Sequence, residues 1–341
     1  MTAPQGYGAA ATGGAGGVLV TVNTVAALKT ELLSEGAKTI IVAENLTFDI
    51  NNMINGIVAD KTLLGMRGVR LVQNDDKGIL ELKKGSNNVI IRNLIFEGTG
   101  AFDMNGNDLL QNSGCNNLWV DHCEFYDGLD GNFDNTKKSD NITVSWCKFG
   151  YNKPPRAGGL ETGDHRFSNL VGGGESDAPD DGHYSITFMC CYWANGVKDR
   201  MPRARNAELH IVNCLYDSNV GSKGINLTAG TNGTSCFVEK NYFKNINHPV
   251  YVAGENINVK LAGNKGRSAI ADRGTLELPD YTCDSFDADS VENYLTSIYG
   301  AGATLNLASD GTLSTDFAPT TNECRVRHHS KLCKRKKLII N

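Results

Sequence analysis

Proline is scarce in this chain, 8 of 341 residues against 38 glycines. Turns must therefore come from backbones free to take unusual φ rather than from locked rings. Long apolar runs are missing too. With no stretch of eighteen apolar residues, a membrane-spanning helix is not supported. Met1-Thr-Ala-Pro-Gln lacks the charged and apolar regions of a signal peptide, so a mature form or an excised module is expected. Cations are in short supply outside the last seventeen residues, where Arg325, Arg327, Lys331, Lys334, Arg335, Lys336 and Lys337 stand without an acid. The remaining body holds 26 basic against 38 acidic residues. So acidic a body argues against nucleic acid as the main partner. The basic tail reads as a solvated extension, and the expected division is one domain over 1–324 followed by the tail, 325–341.

With 40% hydrophobic and 21% charged residues, the chain has the balance of a soluble globular protein able to bury a large core. Sustained helical periodicity is rare. Residues 24–35 form the clearest instance, with Asn23 or Thr24 as cap and Ala26, Leu28, Leu32 and Leu33 as the apolar face. The glycine-rich segment 8–17 lacks the Gly-Lys-Ser/Thr of a phosphate loop and reads as a tight packing loop.

A repeat dominates the rest. Aligned on a closing aromatic, strands beginning at Asn88, Asn117, Asn141, Ser185, Glu208 and Ser235 end at Phe96, Phe125, Phe149, Trp193, Tyr216 and Phe243. Their starts differ by 29, 24, 44, 23 and 27 residues, one interval being about two units long. Such a period, with strands and turns but no helix in each unit, predicts an all-β solenoid, a parallel β-helix with stacked coils. Equivalent positions in neighbouring coils then lie roughly 4.8 Å apart. Cys123 is expected to stack on Cys147, and Cys191 on Cys214, as reduced, buried thiols. If a bonded pair exists among the ten cysteines, it is expected between Cys324 and Cys333. Residues 160–183 break the rhythm and read as a long loop, whose Asp177, Asp180 and Asp181 are more simply solvated acids than a second cation site. Residues 266–341 read as a C-terminal cover and tail.

The stretch from Trp119 to Asp134 joins a strand of period two to Asp127, Asp130 and Asp134, with no cation before Lys137. One coil earlier stands Asp108. It precedes Asp130 by 22 and Asp134 by 26 residues, so stacking would place it beneath that pair. Three carboxylates on one face suit Ca²⁺, which takes oxygen ligands, although Gly128 and Gly131 also allow ordinary turn aspartates. Asp127 has the weaker metal claim. Lys153 follows about one coil beyond Asp134, and Arg200-Met-Pro-Arg-Ala-Arg205 about two coils further on. This cationic strip points to an anionic ligand, unless Arg200, Arg203 and Arg205 simply pair with acids such as Asp199 and Glu208.

Asn117-Leu-Trp-Val-Asp-His-Cys, Asp130-Gly-Asn-Phe-Asp134, Thr143-Val-Ser-Trp-Cys-Lys-Phe and Arg200-Met-Pro-Arg-Ala-Arg205, in that order, resemble the signature segments of the family 1 pectate lyases. The resemblance runs from about residue 8 to 265. It implies an extracellular, calcium-dependent lyase with a right-handed parallel β-helix, a short N-terminal helix and long loops on one face. Its substrate would be de-esterified α-1,4-polygalacturonate, cleaved by β-elimination. Carried over by motif, Asp108, Asp130 and Asp134 would hold Ca²⁺, Arg200 would abstract the C5 proton, and Lys153 and Arg205 would bind uronate carboxylates. The lysine comes one residue sooner after Ser145 than in the family pattern, which brings in Arg156 as a substitute. A guanidinium holds its proton at ordinary pH, so an arginine base relies on neighbouring cations to favour its neutral form. Pectin lyase, polygalacturonase and a non-catalytic pectin-binding β-helix are the competing readings. A monomer is expected, since nothing in the sequence points to oligomerisation.

Overall fold

The computed structural model describes residues 3–315 apart from 105, 161 and 162. The basic tail, Cys324 and Cys333 lie outside the described residues. The chain is a parallel β-solenoid built from three sheets of ten, nine and eight strands, in which every strand pairs with its equivalent one coil away.

Each aligned nine-residue repeat divides into two strands of different sheets. Asn116–Asp121 belongs to the ten-stranded sheet and Glu124–Tyr126 to the nine-stranded one; Asp140–Ser145 and Lys148–Gly150 repeat the arrangement a coil later. Between them the chain turns a corner on a left-handed residue. Asn93, His122, Trp146, Cys190, Asn213 and Lys240 all have φ between 47° and 60°. Asparagine tolerates this conformation better than most residues, whereas tryptophan and cysteine occupy it only if the surroundings enforce it. The coil stack does so: the corner N–H of His122 donates to Ser145 O at 3.0 Å, and that of Trp146 to Met189 O at 2.9 Å.

The closing aromatics point inward and form a ladder. Ring centroids follow at 4.9 Å for Phe96–Phe125, 5.2 Å for Phe125–Phe149, 5.7 Å for Phe149–Trp193, 4.8 Å for Trp193–Tyr216 and 4.7 Å for Tyr216–Phe243. All six rings are fully buried. Parallel register causes this, because Phe125 lies directly between Phe96 and Phe149 in the strand pairing. Two residues before the four middle aromatics, Cys123, Cys147, Cys191 and Cys214 repeat as free buried thiols.

Three segments close the surfaces that the coils leave open. The helix Val25–Leu33, capped by Thr24 Oγ1 accepting from Ala27 N at 3.2 Å, buries Leu28 and Leu32 against the first coils; Ala26 faces solvent instead. The glycine-rich segment crosses the outer face of the ten-stranded sheet. A Cβ on Gly8 would lie 2.5 Å from Thr143 N, and one on Gly14 1.9 Å from Lys38 O, so only glycine permits this approach. On the C-terminal side, Cys283 and Phe286 join Trp146, Tyr192 and Tyr242 in packing against a buried cluster that includes Met189, Cys190, Val212 and Leu215.

Candidate active site

The eight-stranded sheet carries the acidic and basic motifs at the starts of its strands. Leu110–Ser113 pairs with Phe133–Thr136, then come Leu170–Val171 and Arg203–Ala204. Backbone hydrogen bonds from Leu109 N to Gly131 O and from Leu110 N to Asn132 O place Asp108 beside Gly131, between Asp130 and Asp134. All three aspartates are buried.

Glycine at 131 leaves a gap among them. A Cβ there would stand 2.6 Å from Asp108 Oδ1 and 3.3 Å from Asp134 Oδ1. Asp108 Oδ1 is buried without a hydrogen-bond partner among the described residues, a state that carries a free-energy penalty for a carboxylate unless a cation meets it. Burial, with Asp134 and Asp130 alongside, pushes the Asp108 carboxyl well above its ordinary range. Burial also raises Asp134 to about 7, although Arg200 and the Leu170 N–H, which donates to its Oδ1 at 2.8 Å, pull the other way. Asp130 differs. Burial is outweighed there by His165 and by the Gly106 N–H at 3.0 Å, and its carboxyl is held below the usual range.

Asp130, Asp134, His165, Arg200, Arg203 and Arg205 share one cleft of about 250 Å³, which Asp103 also lines. Asp103, Asp130 and His165 form a second, buried cation-capable group, with one ligand atom from each within 4.8 Å of the others. His165 Nε2 lies 3.1 Å from Asp130 Oδ1. Sequence reasoning missed Asp103 and His165 because both lie off the coil period. The only signal was the histidine inside the segment that interrupts the repeats.

Arg200 has a left-handed backbone (φ 59°), and its guanidinium lies 4.6 Å over the Phe167 ring. Asp199 does not pair with that guanidinium; its Oδ1 accepts from Arg200 N at 2.6 Å and from Asn226 Nδ2 at 3.2 Å. Glu208 faces His183. Arg205 Nε is a buried donor with no acceptor among the described residues, and burial and Arg200 both press its guanidinium toward losing charge.

Lys153 and Arg156 are not brought into the cleft. Lys153 Nζ donates to Gly98 O at 2.6 Å and its backbone N to Asp127 Oδ1 at 2.8 Å. Arg156 pairs with Asp76 at 2.8 Å and stacks over Phe102 at 4.9 Å. The coil holding them is longer than the others: Asp134 meets Leu170 across 36 residues, so one standard period overshoots none of the acids but misplaces the next cation. Phe167, bridged to Asp199, stands one coil before Arg200. Asp127 is a buried corner residue that accepts from Asn152 N and Lys153 N. Asp177 accepts from Lys137 N and Gly173 N, while Asp180 pairs with Lys138.

Residues 2–282 match the family described as pectate lyase. This chain belongs to that family. A pectate trisaccharide-lyase of Thermotoga maritima is 34% identical over 211 residues, 60% of this chain and 52% of the relative, so the chain spans about half the length of that protein. A probable pectate lyase B of Aspergillus flavus is 28% identical over 81% of this chain and 80% of its own length. Among solved structures, a Bacillus sp. N165 pectate lyase in complex with trigalacturonate shares the fold at TM-score 0.62 and 24% identity, covering 85% of this chain and 96% of its own. Pectate lyase C of Erwinia chrysanthemi, solved with Ca²⁺ at pH 9.5, shares it at TM-score 0.65 and 18% identity, covering 92% and 100%.

Proposed function

We propose that the protein is an extracellular, calcium-dependent pectate lyase that cleaves de-esterified α-1,4-polygalacturonate by β-elimination. The observation that carries this reading is the meeting of Asp130 and Asp134 with Arg200, Arg203 and Arg205 in one cleft, with Asp108 stacked beneath. Acids gathered on one side of the cleft and arginines on the other suit a cation and an anion held side by side. The trigalacturonate held by the Bacillus relative is an anion of that kind.

Asp108, Asp130 and Asp134 would hold the Ca²⁺, being hard oxygen donors around the Gly131 gap, with one oxygen of Asp108 buried and unpartnered. When bound, Ca²⁺ draws charge from the uronate carboxylate and so acidifies the C5 proton. Arg205 takes a substrate carboxylate, whose negative charge relieves its burial beside Arg200. Arg203 supplies the second cationic contact in place of Lys153 and Arg156. Arg200, lying on an aromatic ring rather than on a carboxylate, removes the C5 proton. The pair of electrons left on C5 forms the C4–C5 double bond as the C4–O4 bond breaks, and the departing O4 takes a proton from solvent. His165 steadies Asp130.

The deciding experiment is ultraviolet absorbance of polygalacturonate digests with Ca²⁺ and with chelator. A calcium-dependent rise is expected, because elimination alone creates the conjugated double bond. New reducing ends that appear without absorbance and survive chelation would mean hydrolysis instead.

A further inference from the structure

A second cluster of ligand-type side chains lies on the outer face of the ten-stranded sheet, away from the sheet that carries the acid cleft. His210, in the strand Ala207–Val212, and Glu239, at the end of Thr234–Glu239, come together diagonally across adjacent coils. From the C-terminal cover, Cys283 closes over them. One ligand atom from each residue lies within 4.8 Å of the other two. We infer that His210, Glu239 and Cys283 form a binding site for a borderline divalent cation of the Zn²⁺ type.

The surroundings of His210 prepare it as a ligand. Its ring is buried and stacked on Phe237 at 5.2 Å, which sets the plane. Nδ1 lies 3.0 Å from Tyr281 Oη, and that hydroxyl lies 2.6 Å from Thr187 Oγ1. Thr187 Oγ1 also accepts from Tyr7 N at 3.1 Å, so it is placed to accept from Tyr281 as well. Nδ1–H donating to Tyr281, and Tyr281 donating to Thr187, make a consistent chain that leaves the Nε2 lone pair pointing outward. A partner on the far ring nitrogen is the usual support of a metal-bound histidine.

Nε2 faces Glu239 Oε1 at 3.0 Å. In the metal-free protein a proton on Nε2 fills this position and Nδ1 accepts from Tyr281. On metal binding the imidazole stays neutral: its proton leaves Nε2, one is taken up at Nδ1, and the Tyr281 hydroxyl turns to Thr187. The Cys283 thiol gives up its proton to solvent, so one proton is released for each ion bound. Nitrogen, carboxylate oxygen and thiolate together favour Zn²⁺ over Ca²⁺, which separates this site from the aspartates of the cleft. Three protein ligands leave one position of a tetrahedral ion open. Phe237, on which the His210 ring stacks, also lines a cleft of about 600 Å³ on the same face.

The test is titration of the chelator-treated full chain with Co²⁺ and with Zn²⁺, in the presence of excess Ca²⁺. One equivalent of Co²⁺ is expected to produce a near-ultraviolet thiolate-to-cobalt band that Zn²⁺ displaces. Cys283→Ser should remove that equivalent of band, and Tyr281→Phe should weaken affinity by about 10-fold. Unchanged near-ultraviolet circular dichroism of the metal-free variants establishes that they fold. Absence of a thiolate band in the wild-type chain, or a band of equal amplitude in Cys283→Ser, would overturn the assignment.

Discussion

Arg200 and Gly131 concentrate the consequences that belong to single residues. Arg200→Lys keeps a positive charge but loses the planar group that lies over Phe167. Lyase turnover is expected to fall by at least about 100-fold, the size of losing one transition-state contact, with Ca²⁺ affinity unchanged by calorimetry. Normal turnover in that variant would remove Arg200 from the mechanism. Gly131→Ala places a methyl 2.6 Å from Asp108 Oδ1. We expect Ca²⁺ binding to weaken by about 10-fold or more while the unfolding midpoint in chelator stays close to wild type. Asp134 sets the pH dependence. With its carboxyl raised to about 7 and that of Asp108 also raised, Ca²⁺ must displace protons at acidic pH, so affinity should climb from pH 5 through 7. Calorimetry in buffers of different ionisation enthalpy would detect those protons. An affinity independent of pH over this range would contradict the assignment of Asp134 as a ligand.

At the scale of the element, the coil is two strands, a left-handed corner and a third strand, and its inner rungs bear the stability. Phe125 touches Phe96, Phe149 and Phe133. Phe125→Ala leaves a cavity that stacked neighbours on both sides cannot collapse, and should cost about 3–5 kcal/mol, measured by urea unfolding. The aromatic period was legible in the sequence because every coil repeats it at the same depth. The corner was not. A nine-residue run from Asn117 to Phe125 reads as one strand, since alternation continues through it, and only the φ of 47° at His122 divides it. Asparagine at Asn93 and Asn213 hints at the corner, yet Trp146 and Cys190 occupy the same position without any such signal.

For the molecule as a whole, Asp108 and Asp134 tie stability to pH and to calcium. Both carboxyls are raised, so between the ordinary carboxylate range and about pH 7 the folded chain binds more protons than the unfolded one. The contribution of these two carboxyls to the stability of the calcium-free protein is therefore present at low pH and lost as pH rises through about 7. Added Ca²⁺ should restore it above that pH by binding only the folded form. Thermal melts with and without chelator from pH 5 to 9 should diverge as pH increases; parallel curves would argue against a carboxylate site.

The sequence by itself determined the solenoid, its inner aromatic and thiol ladders, and the meeting of Asp108 with Asp130 and Asp134. All of these depend on a repeat, and a parallel register converts a repeat along the chain directly into proximity in space. Tertiary structure alone decided what happens where the repeat is interrupted. The long coil between Asp134 and Leu170 carries Lys153 to Gly98 and Arg156 to Asp76, and returns with His165 and Phe167 to the cleft, where Asp103 from an earlier coil meets them. Insertions have no period, so their side chains are placed by packing and hydrogen bonding with distant coils, and spacing carries no record of that.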